Sequence, residues 1–236
     1  MSTLILLRHG QSQWNLEDRF TGWVDVDLTA RGEAEARKGG ELIKAEGIAI
    51  DRVFTSVLTR AIRTSWLALH AAGQVYVPET KDWRLNERHY GGLTGLNKAE
   101  TAAKHGDEQV TIWRRSYDVP PPDLAPGGEY DFSRDRRYAG LTLPNTESLK
   151  TTLERVQPYW DAEIAPFLAR GETLLVAAHG NSLRAIVKVL FDVSSEAIVG
   201  IEIPTSNPLV IDLDENLKPT AARYLDADRA TVLPTI

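Results

Sequence analysis

The chain is 236 residues long, with 42% hydrophobic and 25% charged residues, which suits one globular domain with a sizeable core. Its formal net charge of −6 argues against general binding to nucleic acid or anionic membranes, and any anion site must gather positive charge locally. The chain has no cysteine, which excludes disulfide and thiolate chemistry. No signal-like or membrane-spanning run is evident, so we expect a cytoplasmic protein.

The first predicted element is a buried strand that ends in chemically active residues. Leu4–Leu7 are four consecutive large apolar residues, typical of a strand in a parallel sheet. Arg8, His9 and Gly10 follow directly, where ligands bind in open α/β sheets. Arg8 offers donors that match phosphate or carboxylate oxygens, and neutral His9 offers a nitrogen lone pair. The pattern indicates phosphoryl transfer through a phosphohistidine, with an ordinary strand-end turn as the alternative.

Helices and short strands alternate along the rest of the chain. From hydrophobic spacing and capping residues we predict helices over 29–47, 57–72, 108–117, 146–168 and 182–190, a short helix opened by Asn97, and strands over 52–55, 75–78 and 209–213. Pro158 is expected to kink the helix that contains it. The stretch 118–144 is rich in Pro, Gly, Asp and Arg without hydrophobic periodicity, and we interpret it as a functional loop or lid.

A second His-Gly pair follows another buried strand candidate. Leu174–Ala178 runs directly into His179 and Gly180. Two apolar strands that each end in His-Gly are hard to explain as core packing, so we predict a site with two histidines. A buried His179 that binds a backbone group is the alternative. The element order favours a three-layer α/β sandwich with a mainly parallel central sheet flanked by helices. We expect one domain over 1–236, with the lid at about 118–144.

Longer blocks extend these two motifs. They are Arg8–Gly10, Phe20–Leu28, Thr55–Ala61, Leu85–Gly91 and Ala178–Arg184. Together they resemble the cofactor-dependent phosphoglycerate mutases of the histidine phosphatase superfamily, in the family's order and over most of the chain. The first and last blocks are shared with phosphatase relatives. The block from Asn86 to Gly91 is much more specific to the mutases.

The resemblance implies catalytic roles for five residues. His9 matches the phosphorylated nucleophile, and His179 matches a residue that stabilises charge on the equatorial oxygens of the phosphoryl group. Glu87 matches the general acid and base. Arg8 and Arg60 match residues of the phosphate pocket. From composition alone, a solvated Arg60 and a surface Glu87 are the favoured interpretations, and only the family match makes them catalytic.

The resemblance also implies a set of residues that bind substrate. These are Arg8, Asn15, Thr21, Gly22, Arg60, Glu87, Tyr90, Lys98, Arg114, Arg115, Gly180 and Asn181. A solvated helix face is the alternative for Arg114 and Arg115, but an adjacent arginine pair in an acidic protein favours a counter-anion. The remaining histidines, His70, His89 and His105, show no ligand spacing with Asp or Glu, so no metal is predicted.

The implied activity is an isomerase of glycolysis and gluconeogenesis that interconverts 3-phosphoglycerate and 2-phosphoglycerate. Phosphorylated His9 would donate its phosphoryl group, giving a 2,3-bisphosphoglycerate intermediate that returns its other phosphate. The bisphosphate is therefore also the expected cofactor that primes His9, and the lid would exclude water. Family members are commonly dimers or tetramers, so the resemblance implies a homo-oligomer that acts on small molecules, without nucleic acid or membrane partners.

Two other classes of protein fit parts of the pattern. A histidine phosphatase would use the same arginines and histidines, with water as the acceptor. A catalytically silent module that binds phosphate or phosphohistidine is the second alternative, although it has no need for a nucleophile. The mutase is favoured by Lys98, Arg114, Arg115 and the long insertion, because phosphatase relatives generally lack these features in this form.

The chain departs from the family pattern at three places, and one of them is the lid, which matches poorly after Leu124. Ser206 stands where the family usually has glycine, which raises a question about the backbone conformation there. The tail after Tyr224 lacks the Ala-, Gly- and Lys-rich run of some relatives, so a role of the tail in closing the site is an open question.

Overall fold

A computed structural model describes residues 1–234, which build one six-stranded sheet between layers of helices. The strands are β1 (Ser2–Arg8), β2 (Arg52–Thr55), β3 (Glu79–Lys81), β4 (Thr173–Ala178), β5 (Leu209–Leu213) and β6 (Pro219–Tyr224). Their order is β3-β2-β4-β1-β5-β6. The first four strands in this order are parallel, and β5 and β6 are antiparallel to their neighbours. The predicted mainly parallel sandwich is confirmed.

Eight α-helices flank or connect the strands within the described residues. They are α1 (Gln13–Leu16), α2 (Ala30–Ala45), α3 (Thr59–Ala72), α4 (Lys98–His105), α5 (Asp107–Arg115), α6 (Leu149–Tyr159), α7 (Ala165–Ala169) and α8 (Gly180–Leu190). Pro158 lies inside α6, and a π-helical turn at Trp160–Ile164 separates α6 from α7. The predicted helix over 146–168 is therefore interrupted just after its proline. Among residues 1–234, no helix is long and apolar enough to cross a membrane.

The first strand is buried on both of its faces. Leu4 and Leu6 pack into the larger core cluster, which contains residues of α6 and α8. Ile5 and Leu7 point the other way, into a second cluster with residues of α2 and α3. Alternate residues of a strand face opposite sides of the sheet, so a continuous apolar run fits a strand covered on both sides.

The third strand was predicted at 75–78, just before the segment that forms the strand. Residues 75–78 do not form a strand, and Val75 and Tyr76 are 65% and 78% exposed. Gly73 ends α3 with a φ of +74°, and the chain turns before it reaches the sheet. The strand forms at Glu79–Lys81 instead, and charged residues are common on such sheet edges because they discourage further pairing. The sequence analysis also missed β6.

The segment 118–144 is irregular, with two short 3₁₀ turns at Phe132–Arg134 and Arg136–Tyr138. Its anchor is Tyr138, which is 2% exposed. The Tyr138 hydroxyl accepts a hydrogen bond from Asn86 Nδ2 at 2.9 Å, and its ring centroid lies 5.0 Å from that of Trp23. This contact ties the segment to the chain beside Glu87. The role of a lid stays a prediction.

Ser206, which stands where the family usually has glycine, adopts a backbone conformation that favours glycine. Its φ is +48°, in the left-handed region that disfavours residues with a Cβ atom. The residue is 1% exposed, and its hydroxyl has no hydrogen-bond partner among residues 1–234. Its N–H donates to the carbonyl of Arg8 at 2.8 Å, so the strained residue supports the end of β1.

We predict that Ser206→Gly stabilises the protein. The left-handed conformation costs roughly 1–2 kcal/mol for a residue with a Cβ atom, and glycine removes this cost. Part of the gain is offset, because glycine gives the unfolded chain more conformational entropy. A net gain of about 1 kcal/mol would raise the Tm by about 2–4 °C in a chain of this size. Ser206→Ala is the control, since it removes the unpartnered hydroxyl but keeps the strain. A glycine variant that melts no higher than the alanine variant would contradict this explanation.

Candidate active site

A cleft opens beside the carboxyl ends of β1 and β4. The residues that line it are Arg8, His9, Asn15, Arg19, Phe20, Thr21, Gly22, Arg60, Glu87, Tyr90, Lys98, Arg114, Arg115, Gly180, Asn181, Arg184, Ile201, Glu202 and Ile203. Seven of these side chains are cationic and two are carboxylates, so an acidic protein has collected a strongly positive site. Every predicted site residue lines the cleft except His179, which is fully buried beside His9.

His9 is held with one ring nitrogen free to react. Its Nδ1 lies 2.7 Å from the carbonyl oxygen of Gly10, and a carbonyl can only accept, so Nδ1 carries the proton. Nε2 is therefore unprotonated and accepts from Arg60 Nε at 3.4 Å. Burial lowers the pKa of His9 well below its usual value, and Arg60 and Arg8 lower it further. The ring is neutral near pH 7, as a nitrogen nucleophile must be.

His179 lies against His9, with their ring centroids 5.0 Å apart. It stands between β4 and α8, and its Nε2 hydrogen bonds to Ser56 Oγ at 2.7 Å. Burial lowers the pKa of His179 well below its usual value, with further lowering by Arg60 and His9. The two strand-end histidines thus meet at one site, as their repeated His-Gly context predicted.

Arg60 is fixed by backbone carbonyls rather than by carboxylates. It lies at the start of α3, and its Nη1 and Nη2 donate to the carbonyls of Val24 and Gly22 at 2.9 and 2.8 Å. The guanidinium is 1% exposed, and burial lowers its pKa to about 10. It remains charged near neutral pH. Carbonyl partners satisfy its N–H groups without cancelling that charge.

Glu87 is a nearly buried carboxylate at the inner end of the cleft, 9% exposed. Its Oε1 accepts from Arg88 N at 2.7 Å, from Asn181 Nδ2 at 2.9 Å and from Asn181 N at 3.2 Å. Within the described chain, no residue donates to Oε2. A Cβ atom at Gly180 would lie 3.8 Å from this Oε2 and 3.6 Å from Arg8 Cζ, so Gly180 lies between the two groups.

The backbone of Glu87 is clamped from behind by a buried ion pair. Arg155 and Glu147 contact each other at 2.6 Å with side chains only 9% and 3% exposed. Arg155 also donates to the carbonyls of Arg84, Asn86 and Glu87 at 2.6, 3.0 and 2.9 Å. Trp23 Nε1 donates to the same carbonyl of Glu87 at 2.6 Å. These contacts fix where the carboxylate can lie.

The outer part of the cleft is lined by cations with acidic partners. Lys98 donates to Asp18 Oδ1 at 2.9 Å, and Arg115 forms an ion pair with Glu202. Arg114, next to Arg115 at the end of α5, also lines the cleft.

Tyr90 connects the cleft wall to Glu87. Its hydroxyl lies 3.5 Å from Asn181 Nδ2, the group that also binds Glu87. Burial raises the pKa of Tyr90, but Arg88 and hydrogen bonds from Arg88 and Asn181 outweigh it, so the net shift is downward. Tyr90 is therefore placed in an electropositive environment.

The remaining predicted residues belong to the loops after β1. Asn15 lies in α1, where its Oδ1 accepts from Ser12 N at 3.1 Å. Thr21 is 8% exposed, and Gly22 adopts a φ of +53° that directs its carbonyl to Arg60. All three line the cleft. Only the family match, and no local sequence pattern, indicated this position.

Six residues that line the cleft were missed, namely Arg19, Phe20, Arg184, Ile201, Glu202 and Ile203. Arg184 had a usable signal. It lies in the first turns of the helix after β4, just as Arg60 does in the helix after β2, and such a helix begins near the carboxyl end of its strand, where ligands bind. Arg184 donates to Asn181 Oδ1 and to the carbonyl of Ile198 at 3.1 and 2.6 Å.

Two buried polar atoms at the inner end have no hydrogen-bond partner among residues 1–234. They are Arg8 Nε and His179 Nδ1. Such atoms are rare because an unpaired buried polar group is costly. At a positively charged cleft they suit a ligand rich in oxygen acceptors, such as a phosphoryl group. Over the same residues, no group of three or more His, Asp or Glu side chains is arranged to hold a metal ion.

Sequence comparison shows the family of the chain. The chain belongs to the histidine phosphatase superfamily (branch 1), whose family model matches residues 4–223. A 2,3-bisphosphoglycerate-dependent phosphoglycerate mutase of Caulobacter sp. (strain K31) is 78% identical over 236 residues, and 100% of both chains is covered. The protein of that name in Hyphomonas neptunium (strain ATCC 15444) is 64% identical, again over 100% of both chains. The family expected from the sequence is confirmed.

Solved structures show the same fold at low identity. A putative alpha-ribazole-5'-P phosphatase from Escherichia coli (str. K-12 substr. MG1655) has a TM-score of 0.71 and 22% identity, covering 98% of each chain. An alpha-ribazole phosphatase from Shigella flexneri has a TM-score of 0.68 and 20% identity, covering 99% of this chain and 96% of the other. At this identity the likeness concerns the fold.

We predict that the buried histidines make the protein lose stability in mild acid. The pKa values of His9 and His179 are well below 6.5, and burial lowers that of His89 to about 4. Below about pH 6.5 these histidines therefore bind protons in the unfolded chain but stay unprotonated in the folded protein. The free energy of unfolding should fall with pH by up to about 1.4 kcal/mol per unit for each histidine.

Denaturant unfolding between about pH 7.5 and pH 5.5 measures this slope. His70→Asn is the control because His70 is exposed, and its slope should equal that of the unmodified protein. His9→Asn should have a shallower slope. A free energy of unfolding that stays constant over this range would contradict the prediction.

Proposed function

We propose that this chain is a 2,3-bisphosphoglycerate-dependent phosphoglycerate mutase, which interconverts 3-phosphoglycerate and 2-phosphoglycerate in glycolysis and gluconeogenesis. The observation that carries the proposal is a cleft with a neutral histidine at its inner end and cations along its whole length. A phosphoglycerate carries a phosphate and a carboxylate, and a bisphosphoglycerate carries one phosphate more. The relatives of that name, 78% and 64% identical over the full length, support it.

In the proposed reaction, His9 Nε2 attacks phosphorus as the bond from phosphorus to the leaving oxygen breaks. Nδ1 keeps its proton and donates it in a hydrogen bond to the Gly10 carbonyl. The ring therefore needs no proton transfer to become a nucleophile. Arg8 and Arg60 neutralise the charge of the transferring group, and His179 lies beside it. The phosphoryl group then moves from Nε2 to the free hydroxyl of 3-phosphoglycerate, giving 2,3-bisphosphoglycerate, which reorients and returns its other phosphate to Nε2 to leave 2-phosphoglycerate.

We assign the proton transfers to Glu87. The attacking hydroxyl must lose a proton as the new oxygen–phosphorus bond forms, and the leaving oxygen must gain one in the other half-reaction. Glu87 Oε1 is occupied by the bonds from Arg88 and Asn181, while Oε2 has no donor among residues 1–234. Oε2 is therefore the oxygen available to exchange the proton.

The other predicted residues would hold the rest of the ligand. We propose that they bind its carboxylate and second phosphate, namely Asn15, Thr21, Gly22, Tyr90, Lys98, Arg114, Arg115, Gly180 and Asn181. Their common position on the cleft wall supports this role. The same outer cations would bind 2,3-bisphosphoglycerate when it primes His9 as the cofactor. No step of this scheme uses a metal.

We further propose that the chain works as a single domain in the cytoplasm and as a homo-oligomer. The family resemblance supports these statements, and the single sheet of the chain supports the single domain. The segment 118–144 would act as the lid that excludes water from phosphorylated His9. Its buried Tyr138 supplies a fixed point beside Glu87 from which the rest could move.

The first test is a mutase assay with and without catalytic 2,3-bisphosphoglycerate, with a chelator present throughout. We expect turnover that the bisphosphate stimulates and the chelator leaves unchanged. His9→Asn should abolish both turnover and labelling by phosphate, whereas the exposed control His70→Asn should retain both. Release of free phosphate without isomerisation would move the protein to the phosphatases, and neither activity would leave a silent binding module.

We predict that Glu87→Gln separates binding from proton transfer. The amide keeps the shape of the side chain but cannot exchange a proton, so kcat should fall by about 10²–10⁴-fold. Binding of 2,3-bisphosphoglycerate, measured by calorimetry, should persist. Glu100→Gln, an exposed site on α4, is the matched control. A Glu87→Gln variant with normal kcat would remove Glu87 from the mechanism.

A further inference from the structure

Glu202 is an unexpected group in a site built to attract anions. It is one of only two carboxylates among the described residues that line the cleft, and the other is Glu87 at the inner end. Glu202 Oε1 accepts a hydrogen bond from Arg115 Nη2. The contact with Arg115 lowers the pKa of Glu202, so the carboxylate is charged at neutral pH. It therefore places a full negative charge where a ligand anion would approach.

The pair between Glu202 and Arg115 is exposed enough to be exchanged. The two side chains are 55% and 38% exposed, and ion pairs of this kind contribute little stability. Arg8, Arg60 and Arg184 are held differently, because each donates to main-chain carbonyls that leave its positive charge uncancelled. Arg115 has its charge neutralised by a carboxylate that itself lines the cleft, whereas Asp18, the acidic partner of Lys98, does not line it.

The main chain keeps Glu202 in place whether or not Arg115 is bound to it. The carbonyl of Glu202 accepts from Thr231 Oγ1 at 2.6 Å and from the Tyr224 hydroxyl at 3.4 Å. The carbonyl of the next residue, Ile203, accepts from Arg8 Nη1 at 2.9 Å. Glu202 is thus tied to the strand β6, to the C-terminal segment and to the phosphate pocket. The main chain of Glu202 therefore stays at the wall of the cleft when the ion pair opens.

We infer that Glu202 is an internal competitor, which holds Arg115 in the empty cleft and must be displaced by an anionic group of the ligand. Its effect is to weaken the binding of highly charged phosphoglycerates at the outer end. The identity of the ligand rests on the proposed function, whereas the competition requires only an anion that reaches Arg115.

Such a competitor has a physical use in this cleft. Seven cations around one ligand favour tight binding, and tight binding of every species lowers KM without raising kcat. A displaced carboxylate returns to Arg115 as the ligand leaves, and so assists release. The penalty grows with ligand charge, because the repulsion by Glu202 opposes each added anionic group while the cost of opening the ion pair stays the same. The bisphosphate should therefore be affected more than the monophosphates.

The test is to measure 2,3-bisphosphoglycerate affinity in Glu202→Gln by calorimetry, in a His9→Asn background so that no phosphoryl transfer occurs. Glutamine keeps the shape and removes the charge. We expect roughly fivefold tighter binding. Glu196→Gln removes one charge from an exposed position outside the cleft and should leave affinity unchanged. With His9 intact, KM for 3-phosphoglycerate should fall in Glu202→Gln by a smaller factor than the dissociation constant of the bisphosphate. The change in kcat should be smaller than the change in KM.

A double-mutant cycle identifies Arg115 as the partner. In an Arg115→Gln background, Glu202→Gln should improve affinity by clearly less than it does alone. Unchanged or weaker bisphosphate binding in Glu202→Gln would overturn the inference. An equal improvement with and without Arg115 would also overturn it, since Glu202 would then act only through its general charge. Absence of mutase activity would defeat the proposed function but leave this binding test intact.

Discussion

The site depends on arginine side chains held by main-chain carbonyls. Arg8, Arg60 and Arg184 each donate to at least one carbonyl, at distances between 2.6 and 2.9 Å. Carboxylates would have fixed the same guanidinium groups but neutralised them. Carbonyls satisfy the N–H groups and leave the positive charge for a ligand, in a chain whose net charge is −6. Burial lowers the pKa of His9, and Arg60 and Arg8 lower it further, so two of these arginines also help to keep the ring neutral.

A buried ion pair supports this arrangement from behind. Arg155 binds Glu147 and the carbonyls of three residues around Glu87, while Glu147 accepts from the N–H of His89 at 2.8 Å. A buried pair of this kind contributes little net stability against an apolar replacement, but loss of one partner is costly. Its main effect here is geometric. It fixes an irregular stretch of chain, on which a carboxylate needs to be held within hydrogen-bond reach of a ligand hydroxyl.

The sequence indicated the inner end of the site far better than the outer end. Apolar strands that run into His-Gly are local patterns, whereas Arg60 was assigned only through the family match and Arg184 was missed. Glu202 had no such signal, because its position depends on contacts with distant residues near the C-terminus. The misplaced strand at 75–78 has a similar cause. Its β-branched residues match strand propensity, but the sheet edge selected the more polar Glu79–Lys81, which pairs with β2.

The choice of phosphoryl acceptor is not a property of the fold. Solved structures titled as phosphatases share it at 22% and 20% identity, and a common fold can host different reactions. In the proposed reaction Arg8, His9 and Arg60 act on the phosphoryl group alone, and they would serve water or an alcohol equally. A mutase must also retain a bisphosphate while it reorients and still release a monophosphate. The outer cations favour retention, and Glu202 opposes it, so the balance between Glu202 and Arg115 is where this family member would set the two requirements against each other.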